Sequence, residues 1–70
     1  MKTVKLFNLP QEAKGQHKIN KVRILRSSEG FDYAIILLDG DIVIKLLPEE
    51  DGFSEDAGLI LLSEGKYLNF

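Results

Sequence analysis

The 70-residue sequence contains no cysteine and no tryptophan, only two prolines and a single histidine. Without cysteine the chain can form neither a disulfide bond nor a thiolate metal site, which suits a reducing compartment. Its longest apolar runs are much shorter than the roughly 20 residues that a membrane-spanning helix requires. Lys2 is not followed by the apolar segment of a signal peptide. We therefore expect a cytoplasmic protein that does not associate with a membrane.

The length of the chain limits how much apolar surface it can bury. Seventy residues are enough for one small domain, so we predict a single domain over residues 1–70. An apolar fraction of 44% and a charged fraction of 29% are typical of a globular protein. A chain this short buries only about 60% of its unfolded surface. Its stability therefore depends on a dense core or on association with another chain.

Charge is distributed unevenly along the sequence. Residues 1–30 hold seven lysines and arginines against two acidic residues, a balance of +5, whereas residues 31–70 have a balance of −7; together they give the net charge of −2. The two halves either neutralise each other in the fold or provide interaction surfaces of opposite charge.

The clearest local signal is Asp39-Gly40, which separates two apolar runs at residues 31–38 and 41–47. Asp-Gly in this context predicts a β-hairpin with a two-residue type I′ turn. Such a turn places Leu38 opposite Asp41, and successive pairs then point to alternate faces. One face is wholly apolar or aromatic and is predicted to form the core. Its residues are Phe31, Tyr33, Ile35, Leu37, Ile42, Ile44 and Leu46.

The second face of the hairpin is apolar in its middle and charged at its edges. Its residues are Asp32, Ala34, Ile36, Leu38, Asp41, Val43, Lys45 and Leu47. A short chain has little material to cover this face. We therefore predict that Ile36, Leu38, Val43 and Leu47 contact a partner.

Other strands are predicted on either side of the hairpin. Residues 17–27 are predicted as a strand, although Ile19, Val22 and Leu25 also have helical spacing, so a helix remains the alternative. Further strands are predicted at residues 1–9, 59–62 and 67–70. Five or six short strands with tight turns indicate an all-β antiparallel meander. The pattern resembles an SH3-like barrel, and a compact β-sandwich is the alternative.

Residues 49–58 form an acidic loop with five carboxylates and one aromatic residue, Phe53. Its spacing does not match a calcium-binding loop, so we predict a solvated loop with no bound metal. Phe53 either anchors a partner inside an acidic rim or folds back as a lid on the barrel. Under the first interpretation the contact residues are Glu50, Asp51, Phe53 and Glu55.

The sequence offers little catalytic equipment. The one histidine, His17, has no recognisable orienting partner, and no nucleophile elbow, metalloprotease or phosphate-binding motif occurs. We therefore expect a protein that is not an enzyme and that needs no cofactor.

The leading hypothesis is a small module that binds another protein, acting as an inhibitor or adaptor, for example a phage or mobile-element product directed at a host protein. Self-association as a homodimer is a second arrangement of the same surface. The weaker alternative is a small barrel that binds nucleic acid through a basic segment. The residues of that segment are Lys14, Lys18, Lys21, Arg23 and Arg26. If residues 17–27 form a strand, its cations divide between two faces.

Overall fold

The computed structural model describes residues 3–6 and 9–70. These residues form a four-stranded antiparallel sheet, curled into a half-barrel, and one α-helix. The strands are β1 (Gln16–Arg26), β2 (Asp32–Leu38), β3 (Val43–Leu46) and β4 (Tyr67–Asn69), in the order β3-β2-β1-β4, and the helix is α1 (Glu55–Leu61). The predicted all-β, barrel-like class is confirmed in its coarse form, because the described residues are mostly β but include one helix. The predicted count of five or six strands is wrong for the described residues, which contain four.

β1 is long enough to pair with two different strands. Residues 16–18 pair with β4, and the strand from Ile19 onward pairs with β2. The register shifts between Ile19 and Lys21, so β1 carries one extra residue there. Because of this bulge, Ile19 and Val22 both pack on the core although they are three residues apart. The strand prediction for this segment is confirmed, and the helical spacing of its first two apolar residues reflects the bulge.

The hairpin of β2 and β3 has a loop of three residues instead of the predicted two. The Leu38 N–H donates a hydrogen bond of 2.8 Å to the carbonyl oxygen of Ile42, which leaves Asp39, Gly40 and Asp41 between the strands. Gly40 and Asp41 both have left-handed backbone conformations, with φ values of 73° and 61°. The predicted pairing of Leu38 with Asp41 is therefore wrong by one residue.

Because the loop has one extra residue, the side of β2 that faces inward is the opposite of the predicted one. Ile36 lies opposite Ile44, and the faces predicted for β3 are correct: Ile44 is buried and Val43 is exposed. The faces predicted for β2 are exchanged. Ile36 and Leu38, predicted to contact a partner, are only 0% and 2% exposed. The β2 residues predicted as core, Tyr33, Ile35 and Leu37, lie on the other side of the strand, and Phe31 just before β2 is exposed.

The strand predicted at residues 59–62 is instead the end of α1. The Ser54 side chain caps the helix by accepting a hydrogen bond of 3.2 Å from the Ala57 N–H. Two acidic residues in the first turn complement the positive end of the helix dipole. Ala57 and Ile60, about one turn apart, are buried, whereas Leu62 just after the helix is 83% exposed.

The N-terminal segment pairs with β4, the strand at the far edge of the sheet from β3. Thr3 forms a parallel bridge to Asn69, and the Val4 N–H donates a hydrogen bond of 2.8 Å to the Asn69 carbonyl oxygen. Within the described residues of the predicted 1–9 strand, this single bridge replaces a continuous strand. The rest of that prediction lies outside the described residues, which exclude Met1, Lys2, Phe7 and Asn8.

One hydrophobic core fills the inner face of the curled sheet. Its buried residues are Val4, Ala13, Ile19, Ala34, Ile36, Leu38, Ile44, Leu46, Ala57, Ile60 and Leu68. The sheet, α1 and the N-terminal segment all contribute to it, and the other face of the sheet is left to solvent. In the described part of the chain, no helix has the length and apolar composition needed to cross a membrane.

Candidate interaction surface

The solvent-facing side of the sheet, which we call the outer face, is apolar over three adjacent strands. Cross-strand pairing places Leu25 of β1 beside Tyr33 of β2, and Leu37 of β2 beside Val43 of β3. Ile35 lies between Tyr33 and Leu37 on the same side of β2. The alternation continues at the strand ends through Phe31 and Leu47, which are both exposed.

Most of the exposed large apolar side chains belong to this face. Leu25, Phe31 and Leu37 are between 37% and 39% exposed, and Val43 and Leu47 exceed 50%. Single exposed apolar residues are normal on a protein surface, but a contiguous group of this kind marks interaction sites. The outer face is therefore the candidate interaction surface of the described chain.

Three cations lie among these apolar side chains. Register places Arg23 of β1 and Lys45 of β3 on either side of Ile35, and Lys21 beside Leu37. The Lys45 ammonium lies 4.9 Å from the centroid of the Tyr33 ring, within the range of a cation–π interaction. No strand position on the outer face carries an acidic residue. The surface thus combines an apolar centre with positive charge.

Of the four hairpin residues predicted to contact a partner, two are exposed and two are buried. Val43 and Leu47 are 52% and 58% exposed, so both are accessible to a partner. Ile36 and Leu38 belong to the core, and a partner cannot reach them without unfolding the sheet. On β2, the side chains on the solvent-facing side are instead those of Tyr33, Ile35 and Leu37.

The residues predicted in the acidic loop are also divided. Glu50, Asp51 and Glu55 are exposed, whereas Phe53 is half-buried and packs against the core. Phe53 therefore corresponds to the predicted lid and not to a free aromatic anchor. Glu55 lines the same groove as Lys45 and Leu47 at the edge of the sheet.

The cations of the predicted nucleic-acid segment do not form one patch. Lys21 and Arg23 lie on the outer face, whereas Arg26 is on the opposite side of β1 and forms an ion pair of 3.2 Å with Asp32. Beyond the bulge, Lys18 lies in the part of β1 that pairs with β4, and Lys14 lies just before β1. The bulge and the alternation of β1 together divide the basic segment.

His17 has a structural partner that the sequence does not reveal. Its Nδ1 lies 2.5 Å from Asp39 Oδ1, and the Lys18 N–H donates a 3.3 Å hydrogen bond to the other oxygen of that carboxylate. The hydrogen bond from His17 and that from the Lys18 backbone lower the pKa of Asp39. This pair connects the hairpin loop to β1.

Among the described residues, no three His, Asp or Glu side chains are placed to hold a metal ion.

The outer-face residues of β2 and β1 were not identified as partner contacts from the sequence. Their apolar alternation is visible, but it is indistinguishable from that of the buried side of β2. Lys45 identifies the solvent-facing side of β3, but the side of β2 that lies beside it depends on the length of the hairpin loop. Comparisons with protein-family models, curated proteins and solved structures find no match for this chain.

Proposed function

We propose that this protein is a non-enzymatic binding module that recognises another protein through the outer face of its sheet. The observation that carries the proposal is the continuous group of apolar side chains on the solvent-facing side of three adjacent strands, of which all but Tyr33 and Ile35 are exposed. Its members are Leu25, Phe31, Tyr33, Ile35, Leu37, Val43 and Leu47. Covering such a surface removes apolar area from water, which is the main driving force of protein association.

The cations of the outer face define the chemistry of the partner. Lys21, Arg23 and Lys45 have no acidic neighbour at the strand positions of this face. A partner with an apolar centre and carboxylates at its rim matches this surface in both polarity and charge. By occupying a surface of its partner, such a module acts as an inhibitor or an adaptor.

Nucleic acid is the second candidate for this face. Tyr33 and Phe31 are aromatic, and with the three cations they are the residue types on which single-stranded nucleic acid stacks and is neutralised. Aliphatic side chains, however, make up most of the apolar group and offer no stacking surface to bases. They are Leu25, Ile35, Leu37, Val43 and Leu47. The balance of residue types favours a protein.

Photo-crosslinking with a matched leucine pair tests the proposal. One variant carries photo-leucine in place of Leu37 on the outer face, and the other carries it in place of Leu62, which is more exposed but lies just after α1. Both are exposed to the lysate of the native cell, and adducts are identified by mass spectrometry. We expect a defined protein adduct from the Leu37 position and none of that protein from the Leu62 position.

Binding to the purified partner provides the quantitative arm of this experiment. Leu37→Lys is expected to weaken binding about tenfold or more, since it introduces a charge into the apolar centre, while Leu62→Lys leaves binding unchanged. The proposal fails if the two leucine variants behave alike. It also fails if single-stranded DNA or RNA binds tightly to the outer face with a steep dependence on salt concentration.

A further inference from the structure

β3 is an edge strand, and its outward backbone groups are identifiable from the register. Leu38 and Ile42 form a hydrogen-bonded pair at the end of the hairpin. Antiparallel pairs alternate between hydrogen-bonded and non-hydrogen-bonded types. The next pair therefore directs the N–H and C=O groups of Val43 away from β2, and the same holds for Lys45.

These outward groups are open in the described part of the chain. No backbone hydrogen bond outside the sheet reaches Val43 or Lys45. The comparable edge position on β1 is treated differently: the outward Val22 N–H donates a hydrogen bond of 2.8 Å to the Glu64 carboxylate. A side chain thus occupies the donor on the β1 edge, whereas the β3 edge keeps its donors and acceptors available.

A groove of about 580 Å³ runs beside this open edge. One wall is formed by residues 44–47, and the other by Lys5, Leu6 and Leu9 together with the start of α1. The N-terminal segment pairs with β4 at one end of the curled sheet, and β3 is the strand at the other end. Among the described residues, the groove is therefore the seam at which the half-barrel remains unclosed.

We propose that the protein partner inserts an extended segment into this seam and adds a strand to β3. The inference rests on the proposed function, because it assigns a binding mode to the same partner. Main-chain hydrogen bonds to an exposed sheet edge give affinity in such complexes, and alternate side chains give specificity. The inserted strand extends the outer face beyond Val43 and brings the partner against the apolar group described above.

The alternation of β3 defines the sequence that the segment must have. Side chains that pair with Val43 and Lys45 lie on the outer face, so one is apolar and the one opposite Lys45 is acidic. The intervening side chains point into the groove over Leu6 and Leu9, where apolar residues fit. Carboxylates line this side of the groove and disfavour an acidic residue there. They belong to Glu49, Glu55 and Asp56.

Backbone methylation of the synthetic chain tests this mode without removing a side chain. N-methylation of the Lys45 amide removes an outward donor and obstructs pairing, while N-methylation of Ser28 in the β1–β2 turn is the control. The probe is a phage-displayed library of random linear peptides selected on the unmodified protein. We expect enriched peptides to alternate as described and to bind the Lys45-methylated chain about tenfold more weakly or worse, since hydrogen bonds and close contact are lost together. Methylation at Ser28 should leave binding unchanged.

Amide hydrogen exchange in the unmodified protein gives a second measurement that does not depend on the folding of the methylated chain. Bound peptide should slow exchange at Val43 and Lys45. Equal binding to both methylated chains, unchanged exchange at these amides, or enrichment of peptides without the alternation overturns the inference. A dimer of the free protein that the Lys45 methylation dissociates also overturns it, because the edge is then occupied by a second copy.

The Leu37→Lys variant separates failure of the binding mode from failure of the proposed function. A ligand that is lost with Leu37→Lys but tolerates Lys45 methylation binds the outer face without strand addition. That result overturns the inference and leaves the proposed function intact. Photo-crosslinks that do not distinguish Leu37 from Leu62 overturn the proposed function itself.

Discussion

His17 and Asp39 are joined side chain to side chain, with 2.5 Å between His17 Nδ1 and Asp39 Oδ1. The contact connects the start of β1 with the loop of the β2–β3 hairpin, 22 residues along the chain. The Nε2 of His17 lies 3.3 Å from the Lys14 carbonyl oxygen, so the ring has an acceptor on each side.

Acid should weaken this connection by protonating Asp39. Its pKa is lowered in the fold, chiefly by the hydrogen bond from His17, so the contribution to stability is complete above the ordinary value of 3.8. It is lost as pH falls through the lower, folded value. We expect the stability advantage of wild type over Asp39→Asn, measured by urea unfolding, to be constant near neutrality and to shrink below about pH 4.

Asp41→Asn is the matched control for this pH dependence. Asp41 lies in the same loop, and its carboxylate forms no hydrogen bond with the described residues. Asparagine also tolerates the left-handed backbone at this position. The difference between wild type and Asp41→Asn should not decline over the same pH interval. Equal pH profiles for the two variants would show that the His17–Asp39 contact does not contribute to stability.

Deletions of one and of two residues in the hairpin test the three-residue loop. Deleting Asp41 leaves Asp39-Gly40 as a two-residue loop and keeps Leu38 opposite Ile42, so we expect the chain to stay folded with the same strand pairs. Deleting Asp41 and Ile42 together leaves the same two-residue loop, shifts β3 by one position and puts Lys45 opposite Ile36, on the inner face. Burying an unpaired ammonium costs several kcal/mol, and a 70-residue domain has little more than that in total. We expect this second chain to be unfolded.

Cross-strand contacts measured by NMR check both deletions. The chain without Asp41 should retain the proximity of the Ile36 and Ile44 backbones. Folding of the chain without both residues, together with unfolding of the chain without Asp41 alone, would support the register with Leu38 opposite Asp41.

The sequence predicts this hairpin but does not determine which side of β2 faces inward. Both sides of β2 are apolar, since Tyr33, Ile35 and Leu37 alternate with Ala34, Ile36 and Leu38. A strand of this kind has no polar side to fix its orientation. Its orientation is instead set by the loop length, which depends on the contact of Asp39 with His17 and on two left-handed residues. These are tertiary and conformational facts that the Asp-Gly signal alone does not contain.

A pair of neighbouring leucines in β2 measures this orientation directly. Leu38 is 2% exposed in the core, and Leu37 is 37% exposed on the outer face. We expect Leu38→Ala to lower the free energy of unfolding by about 2–5 kcal/mol through lost burial and a residual cavity. Leu37→Ala should lower it by about 1 kcal/mol or less, since the side chain already contacts water.

Urea unfolding of the two alanine variants gives both values, and each variant serves as the control for the other. The reverse order would return Leu37 to the core and Leu38 to the outer face. It would also remove the basis of the proposed interaction surface.

α1 is the element whose type was predicted wrongly. The run Leu59-Ile60-Leu61-Leu62 is as apolar as a buried strand, and Gly58 before it is unfavourable inside a helix. The capping signal is nevertheless present, because Ser54 is followed directly by two acidic residues. The deciding factor is tertiary: helical spacing lets Ala57 and Ile60 reach the core together.

Replacement of Ser54 by alanine tests the importance of that cap. The Ser54 hydroxyl oxygen accepts the hydrogen bond from the Ala57 N–H, and alanine leaves this donor without its partner. We expect Ser54→Ala to lower the free energy of unfolding by about 1 kcal/mol, as is typical for loss of a serine N-cap. Ser28→Ala is the control, since the Ser28 hydroxyl has no hydrogen-bond partner among the described residues, and its effect should stay within about 0.5 kcal/mol. Both values come from urea unfolding. The helical circular dichroism signal should be lost at a lower urea concentration in the Ser54 variant than in the Ser28 variant. Equal stability of the two variants would mean that packing of Ala57 and Ile60, without the cap, holds this segment as a helix.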